Sequence, residues 1–380
     1  MIKITDKSKC CGCGACVQRC PKQCIKMNED EEGFLYPHVN AEDCIDCGMC
    51  EKVCTVLNQS NPRTPHKVFA AQNRNVRKCK NSSSGGVFVS IAEKVIREGG
   101  IVFGAKFNSN WEVEHSYVAT TDALVHLMRS KYVQSRIGNK YVEAERFLKQ
   151  GRKVLFVGTP CQIAGLKLYL RREYTTLYTI DIICHGVPSP GVWRDYLNES
   201  INQQDLVDIN FRDKDGYSWK KYGMSFIYEK TKKSSLAKEN LYFNGFIQNI
   251  LLRPSCYDCP AKSSKSNSDI TLGDFWGVEN VNTTGFSNDG VSMIILNTEH
   301  GLDIIDTGEL ILKETAIDVS LKHNTSYSQS TSKPNDRESF FRTYASKKMT
   351  TCEAISQNLK KYSIATRIIA VLRNKLKVKL

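Results

Sequence analysis

From residue 67 onward, short apolar runs alternate with stretches whose apolar positions recur every three to four residues. KVFAA at 67–71 reads as a strand and VFVSIAEKVIREGG at 87–100 as a helix. IVFGAKF at 101–107 and VEHSYVAT at 113–120 follow as strands. VEAERFLKQG at 142–151 and QIAGLKLYLRRE at 162–173 have helical periods, and KVLFVG at 153–158 and LYTIDIIC at 177–184 are strand-like. That alternation predicts an α/β body with a largely buried sheet. Further on, DLVDINF at 205–211 and MSFIYEK at 224–230 predict a hairpin or sheet edge around the polar turn RDKDGYS, with an exposed loop over 231–240. LYFNGFIQNILL at 241–252 reads as a helix, and VSMIILNTEHGLDIIDTG at 291–308 as a last strand and helix closing the body.

Ahead of residue 67 the pattern disappears. NQSNPRTPH at 58–66 has two prolines and few apolar groups, and reads as a linker. Before it stand two four-cysteine runs with identical spacing: Cys10, Cys13, Cys16 and Cys20, then Cys44, Cys47, Cys50 and Cys54. This is the bacterial two-cluster ferredoxin pattern, in which the fourth cysteine of each run serves the other cluster. One 4Fe-4S cluster is therefore expected on Cys10, Cys13, Cys16 and Cys54, and a second on Cys44, Cys47, Cys50 and Cys20. Gly12, Gly14 and Gly48 allow the tight turns that bring three thiolates onto one cube. Pro21 follows Cys20 as the pattern asks, whereas Thr55 stands where the second proline belongs. A disulfide framework needs an oxidising compartment, and the start MIKITDKSK lacks a signal-peptide core. Zinc sites use paired cysteines rather than fours. Cys11 and Cys24 fall outside the pattern and read as spare buried thiols.

Length and charge extend the picture. The chain has 380 residues, so a ferredoxin domain over 1–60 leaves room for an enzyme-sized body over 67–345 and a basic C-terminal helix over 346–380. Apolar content of 41% and charged content of 24% are those of a soluble protein, and no apolar run is long enough to cross a bilayer. Sixteen cysteines without an export signal suit a reducing, cytoplasmic setting. Of the net charge of +13, residues 1–60 hold seven Lys and Arg against nine Asp and Glu, so the rest carries about +15. A basic body favours anionic small molecules or an acidic protein. Nucleic acid is not expected, because no recognised module appears and the charge is dispersed. Residues 360–380 carry seven Lys and Arg and no acid, with Ile364, Ile368, Leu372 and Leu376 on one helical stripe. Such a helix packs on its own body or touches an anionic membrane surface.

Four further cysteines fall where an α/β body presents ligands. Cys161 lies in the strand-to-helix turn VGTPCQIAGL, Cys184 ends TIDIICHG, and Cys256 and Cys259 form a Cys-x-x-Cys pair. A third cluster is one reading. Small buried hydrophobes, a redox dithiol or half a zinc site are the others. Cys79 and Cys352 have no partners in the pattern and read as structural. The run Ser82, Ser83, Ser84, Gly85, Gly86 leads straight into a helix, where it could seat a phosphate or flavin pyrophosphate or simply cap the helix. GDFWG at 273–277 is equally open: Trp276 could stack on a ring or fill a core.

Taken together, GTPCQIAGL, IICHGVPSPGVW, CYDC, SDITLGDFWG, SSSGG and SKYVQS resemble the coenzyme F-420 hydrogenase/dehydrogenase beta-subunit family, from about Ser82 to Gly277. The resemblance implies an iron–sulfur flavoprotein: an α+β ferredoxin-like cluster domain followed by an α/β flavin-binding body. It implies Cys161, Cys184, Cys256 and Cys259 as ligands of a third cluster. It also implies FAD, with the 82–86 loop, Lys131, Tyr132 and Asp274 as contacts. Two clusters fused in front, as in relatives from surface-polysaccharide gene sets, put coenzyme F-420 itself in doubt and point toward polysaccharide or sugar-nucleotide modification. The expectation is an oxidoreductase that relays electrons between a redox protein such as ferredoxin, the clusters, FAD and an organic substrate. Lys131, Tyr132 and His185 are the candidate proton donors. The rival from another class is a non-catalytic electron-transfer module that docks on a larger enzyme.

Overall fold

The computed structural model describes residues 1–281 and 284–360. The basic stripe over 361–380 lies outside the described residues. At the front, β1 (Ile25–Glu29) pairs antiparallel with β2 (Leu35–Val39), and two short helices, Ala15–Arg19 and Met49–Lys52, each follow a cysteine loop.

The body is built on β3 (Lys67–Asn73), β4 (Ile101–Phe107), β5 (Val113–Val118), β6 (Val154–Gly158) and β7 (Leu177–Ile182). It continues with β8 (Leu206–Asp213), β9 (Gly223–Tyr228), β10 (Lys232–Leu236), β11 (Ile270–Asp274), β12 (Ser292–Leu296) and β13 (Leu310–Thr315). Eight of these form one sheet in the order β13-β3-β12-β11-β7-β6-β4-β5. β4, β6, β7 and β11 run parallel, and antiparallel strands flank them on both sides. The central strands are buried along almost their whole length because helices cover both faces. On one face the helix Val87–Arg97 places Val87, Ile91 and Val95 against Leu155, Ile180 and Ile294. On the other, Pro160–Leu170 and Lys140–Lys149 place Ile163, Leu166, Tyr141 and Phe147 against Phe103, Val154 and Phe156.

A second sheet, β10-β9-β8, stands apart. It shares an aromatic core of Trp193, Phe211, Tyr242 and Phe243 with the helices Pro190–Ser200, Leu241–Ile247, Asp336–Ser346 and Thr351–Asn358. The expected hairpin is there as β8 and β9, but 231–240 is not a loop. Lys232–Leu236 pairs with β9 as an edge strand, and its exposed KKSS hides the alternation that marks a half-buried strand. The helix expected over 241–252 stops at Ile247, after which Asn249 takes a positive φ and Ile250, Leu251 and Leu252 run on as buried chain. Nor do a strand and helix close the body. β12 is followed by a short 3-10 helix, Glu299–Ile304, then by β13 and, among the described residues, three α-helices and a further 3-10 turn. β13, LILKET, pairs with β3 at the sheet edge, where its outer side can stay polar.

The front packs into both cores. Cys13, Ala15 and Val53 lie in the core with Ile163 and Leu166, and Phe34 is fully buried in the aromatic core. A Cβ on Gly165 would meet Cys13 Cβ at 3.0 Å and Cys13 Sγ at 3.1 Å, so the body helix lets the cysteine loop against its backbone only because it has no side chain there.

Candidate redox site

The two cysteine loops are built alike. Gly14 and Gly48 take φ near +70° and each opens the short helix that carries the third cysteine of its run. One cavity is lined by Cys10, Cys13 and Cys16 of the first run and Cys54 of the second, with Cys11 beside them, and another by Cys44, Cys47 and Cys50 with Cys20, and with Cys24 as a fifth thiol. Each run thus sends its fourth cysteine across to the other. Four thiols around one small cavity are the donor set a 4Fe-4S cube takes. Cys16 is buried among its fellow thiols, and burial pushes its pKa up to about 12, so as a free thiol it keeps its proton at neutral pH. The amide of Ile2 donates to Cys50 Sγ at 3.3 Å.

The spare thiols sit beside these sets. Cys24 Sγ lies 3.4 Å from Cys20 Sγ. Cys11 is buried, 3.0 Å from the Thr55 hydroxyl, which in turn stands 3.9 Å from Cys13 Sγ. Thr55 therefore brings a hydroxyl up to the thiols, which a proline could not. Cys79 is buried with its thiol 3.2 Å from Asn73 O, and Cys352 lies 2.8 Å from the Ser200 hydroxyl.

The four body cysteines come from three segments. Cys161 sits in the first turn of Pro160–Leu170, just past β6, and Cys184 follows β7. Cys256 lies within the turn Pro254–Asp258 and Cys259 directly follows it. Cys259 is an electrostatic neighbour of both Cys161 and Cys184, and Cys256 of Cys184 and Cys259. Burial pushes Cys256 up to about 12 and Cys259 up to about 11. Val187 N donates to Cys256 Sγ at 3.4 Å. Cys161 is also a neighbour of Cys11, which links the front thiols to the body set.

The remaining candidates gather near the carboxyl edge of the parallel strands. Ser83 Oγ accepts from Ser130 N at 2.8 Å, which joins the SSSGG loop to SKYVQS. Ser82 and Ser84 donate their hydroxyls to Lys78 O and Val291 O, Gly85 N donates to Ser292 Oγ, and Gly86 opens the helix Val87–Arg97. Lys131 Nζ donates to Met128 O at 2.7 Å, and burial, with Arg129 adding to it, brings its pKa down to about 7. The Tyr132 ring packs on Phe246 at 4.8 Å. His185 meets the same phenylalanine edge-on at 5.4 Å, with a ring nitrogen 2.6 Å from Asn249 Oδ1, and burial lowers its pKa. Asp274 has both oxygens engaged: one pairs with Arg212 and the other accepts from Trp219 Nε1 at 3.0 Å.

Arg212, Lys214, Trp219 and Tyr222 escape a reading by pattern, because RDKDGYSWKKY looks like a solvated turn. The interleaving of basic and aromatic residues was the available signal. Arg212 is nearly buried, stacks over the Tyr222 ring at 4.1 Å, and its Nε has no partner among the described residues. Trp219 and Trp276 stack in parallel at 5.2 Å. Lys214 Nζ donates to Ser84 O and Cys79 O, both at 2.8 Å, and burial lowers its pKa to about 8. A buried cation with a spare donor, beside a glycine-rich helix start and an aromatic pair, fits an anionic, ring-bearing cofactor.

With the geometry in place, comparison with known proteins supplies the class. Residues 9–58 match the 4Fe-4S dicluster domain, and residues 151–318 match the C terminus of the coenzyme F420 hydrogenase/dehydrogenase beta subunit. The body is thus similar to that beta-subunit family over 151–318, and the segment in front of it to dicluster ferredoxins over 9–58. Among its relatives is a coenzyme F420-dependent sulfite reductase of Methanocaldococcus jannaschii, 24% identical over 319 residues that make up 81% of this chain and 47% of the relative. An uncharacterised protein of the same organism is 26% identical over 193 residues, 43% of this chain and 53% of the relative. The chain spans about half the length of these curated relatives. The front is also similar to an uncharacterised ferredoxin of that organism, 39% identical over 51 residues, 13% of this chain and 65% of the ferredoxin. A chain of the F420-reducing [NiFe] hydrogenase complex from Methanosarcina barkeri is similar at a TM-score of 0.46 and 16% identity, over 79% of this chain and 91% of that one. No described helix is long and apolar enough to cross a membrane.

Asp274→Asn would keep the shape of the site but leave the buried Arg212 cation without its counter-charge. We expect a loss of about 3–5 kcal/mol in urea unfolding, with the iron content unchanged.

Proposed function

We propose that the chain is an iron–sulfur flavoprotein oxidoreductase. In this reading Cys10, Cys13, Cys16 and Cys54 hold one 4Fe-4S cluster, and Cys44, Cys47, Cys50 and Cys20 a second. Cys161, Cys184, Cys256 and Cys259 hold a third, and FAD binds beside the 82–86 loop, Lys131 and Tyr132. The observation that carries the reading is the crossing of the two cysteine runs around two separate thiol-lined cavities. When bound, the clusters supply one-electron transfer, and a flavin supplies two-electron exchange with an organic substrate.

The chain's own residues divide the remaining work. Cys47 is exposed, flanked by the exposed Ile45 and by Glu42, Asp43 and Asp46, so a redox protein with a basic contact face suits the outer end of the front. The packing of Cys11 and Cys13 against the body excludes water between the front and body thiols. Arg129, Lys131, Arg212 and Lys214 favour phosphate-bearing or otherwise anionic molecules, and this is the one support for a sugar-nucleotide or polysaccharide-related substrate. Asp274 and Tyr222 hold Arg212 in place. Lys131 can hold a proton and release it near neutral pH. His185, kept neutral by burial, and Tyr132 line the apolar side. The names of the family and of the sulfite reductase make coenzyme F420 the first acceptor to assay.

One observation favours a second reading, an electron-transfer subunit that docks on a larger enzyme: in the sulfite reductase the matched region adjoins as much chain again. Turnover of a small acceptor by the purified chain supports the enzyme. Failure of such turnover, with reduction of one co-purifying protein, supports the subunit.

Protein purified without oxygen should hold about twelve irons, four per cluster, and one flavin per chain. Cys259→Ala should lower the iron by about four and leave the front signal intact. An unchanged count contradicts the body ligand set, and absence of flavin contradicts the two-electron step. If Lys131 donates the proton, the rate should fall as pH rises through about 7, because its ammonium loses the proton there. Lys131→Arg, charged throughout, should abolish that inflection.

A further inference from the structure

Arg253 is wholly buried where the front meets the body. Its Nε donates to Cys10 O at 2.7 Å, Nη1 to Gln134 Oε1 at 3.1 Å and Nη2 to Leu35 O at 3.0 Å, and Nη2 lies 3.6 Å from Cys10 Sγ. The guanidinium faces the Tyr36 ring at 4.2 Å. The cysteine loop is shaped to it: a Cβ on Gly12 would lie 3.0 Å from Arg253 Cζ and 2.9 Å from Gln134 Nε2. Every oxygen acceptor it uses is a neutral carbonyl or amide. Among the described residues no carboxylate reaches ion-pair distance of Arg253, in contrast to the buried Arg212 and Arg337, which pair with Asp274 and Glu32.

A guanidinium removed from water without an opposite charge is strongly unfavourable. The foremost groups around it that could carry negative charge are the thiols of Cys10, Cys11 and Cys256 and the Tyr36 phenol. Burial pushes the phenol up and keeps it neutral, which leaves the sulfurs. Of these, Cys10 is the one whose sulfur Arg253 reaches with a donor; iron-bound, its thiolate supplies the missing charge, and one more electron on the front cluster it holds adds to it.

We propose that Arg253 is the buried counter-cation of the front cluster held by Cys10, Cys13, Cys16 and Cys54, and that it raises that cluster's reduction potential by stabilising the reduced, more negative form. This rests on the cluster reading above. Among the described residues no other side-chain cation donates to a thiol of either front set, so the effect is confined to one of the two ferredoxin clusters. Electrons arriving at the exposed Cys47 end are thereby drawn inward.

The test is a dithionite titration of the full chain, followed by electron paramagnetic resonance, in the wild type, Arg253→Lys and Arg253→Gln. Arg253→Gln should move one front component to a more negative midpoint and leave the other in place, and Arg253→Lys should move it less. Unchanged midpoints with iron retained overturn the proposal. Should the variants lose iron, wild-type protein with 15N-labelled arginine decides: a guanidinium nitrogen coupling on one reduced front cluster supports the role, and its absence overturns it. Wild-type protein without front iron would instead sink the cluster reading itself.

Discussion

Everything in this molecule depends on how closely the first cysteine loop sits against the body helix Pro160–Leu170. Electron transfer weakens steeply with distance, so two redox segments in one chain are useful to each other only in contact. Contact is achieved here by subtraction. Gly165 removes the side chain that would strike Cys13, and Gly12 removes the one that would strike Arg253 and Gln134. Around these points polar side chains fix the register: Gln18 Oε1 accepts from Tyr141 N at 2.9 Å, and Gln134 Nε2 donates to Cys11 O at 3.0 Å. The front is thus held by the same packing that stabilises the body, and Phe34 and Val53 are as deeply buried as the residues of the main sheet.

The body contributes a sheet edge. β6, β7 and β11 run parallel and adjacent, so their carboxyl ends, which lead to Cys161, Cys184 and Asp274, emerge along one side. One end of that edge meets the front loop and carries sulfur. The other meets the SSSGG loop and carries cations and aromatic rings. The strand order brings the two ends onto one side of the sheet without a long connection.

Much of this was legible beforehand because the signals were local. The cysteine spacing announced the cluster loops, and the alternation of apolar runs with helical periods announced an α/β body with a largely buried sheet. The legible part ended where local pattern and tertiary context part company. Lys232–Leu236 looks like a loop because an edge strand can be polar on both sides, and β13 was hidden for a similar reason. Arg212 and Lys214 looked solvated because RDKDGYSWKKY reads as a polar turn, and only its interleaved basic and aromatic residues hint that the segment folds back over the sheet edge. Arg253 gave no sign at all. Its significance comes from sulfur and carbonyl groups more than 200 residues earlier in the chain.

The central claim is that the front thiols couple to the body thiols through Cys11 and Cys161, beside the Cys13–Gly165 contact. Its most direct test is the electron paramagnetic resonance of the fully reduced, iron-loaded chain. The account predicts mutual broadening and faster relaxation between a ferredoxin-type cluster and the body cluster, lost in Cys259→Ala. A spectrum that is the plain sum of non-interacting clusters, unaltered by that substitution, would contradict it.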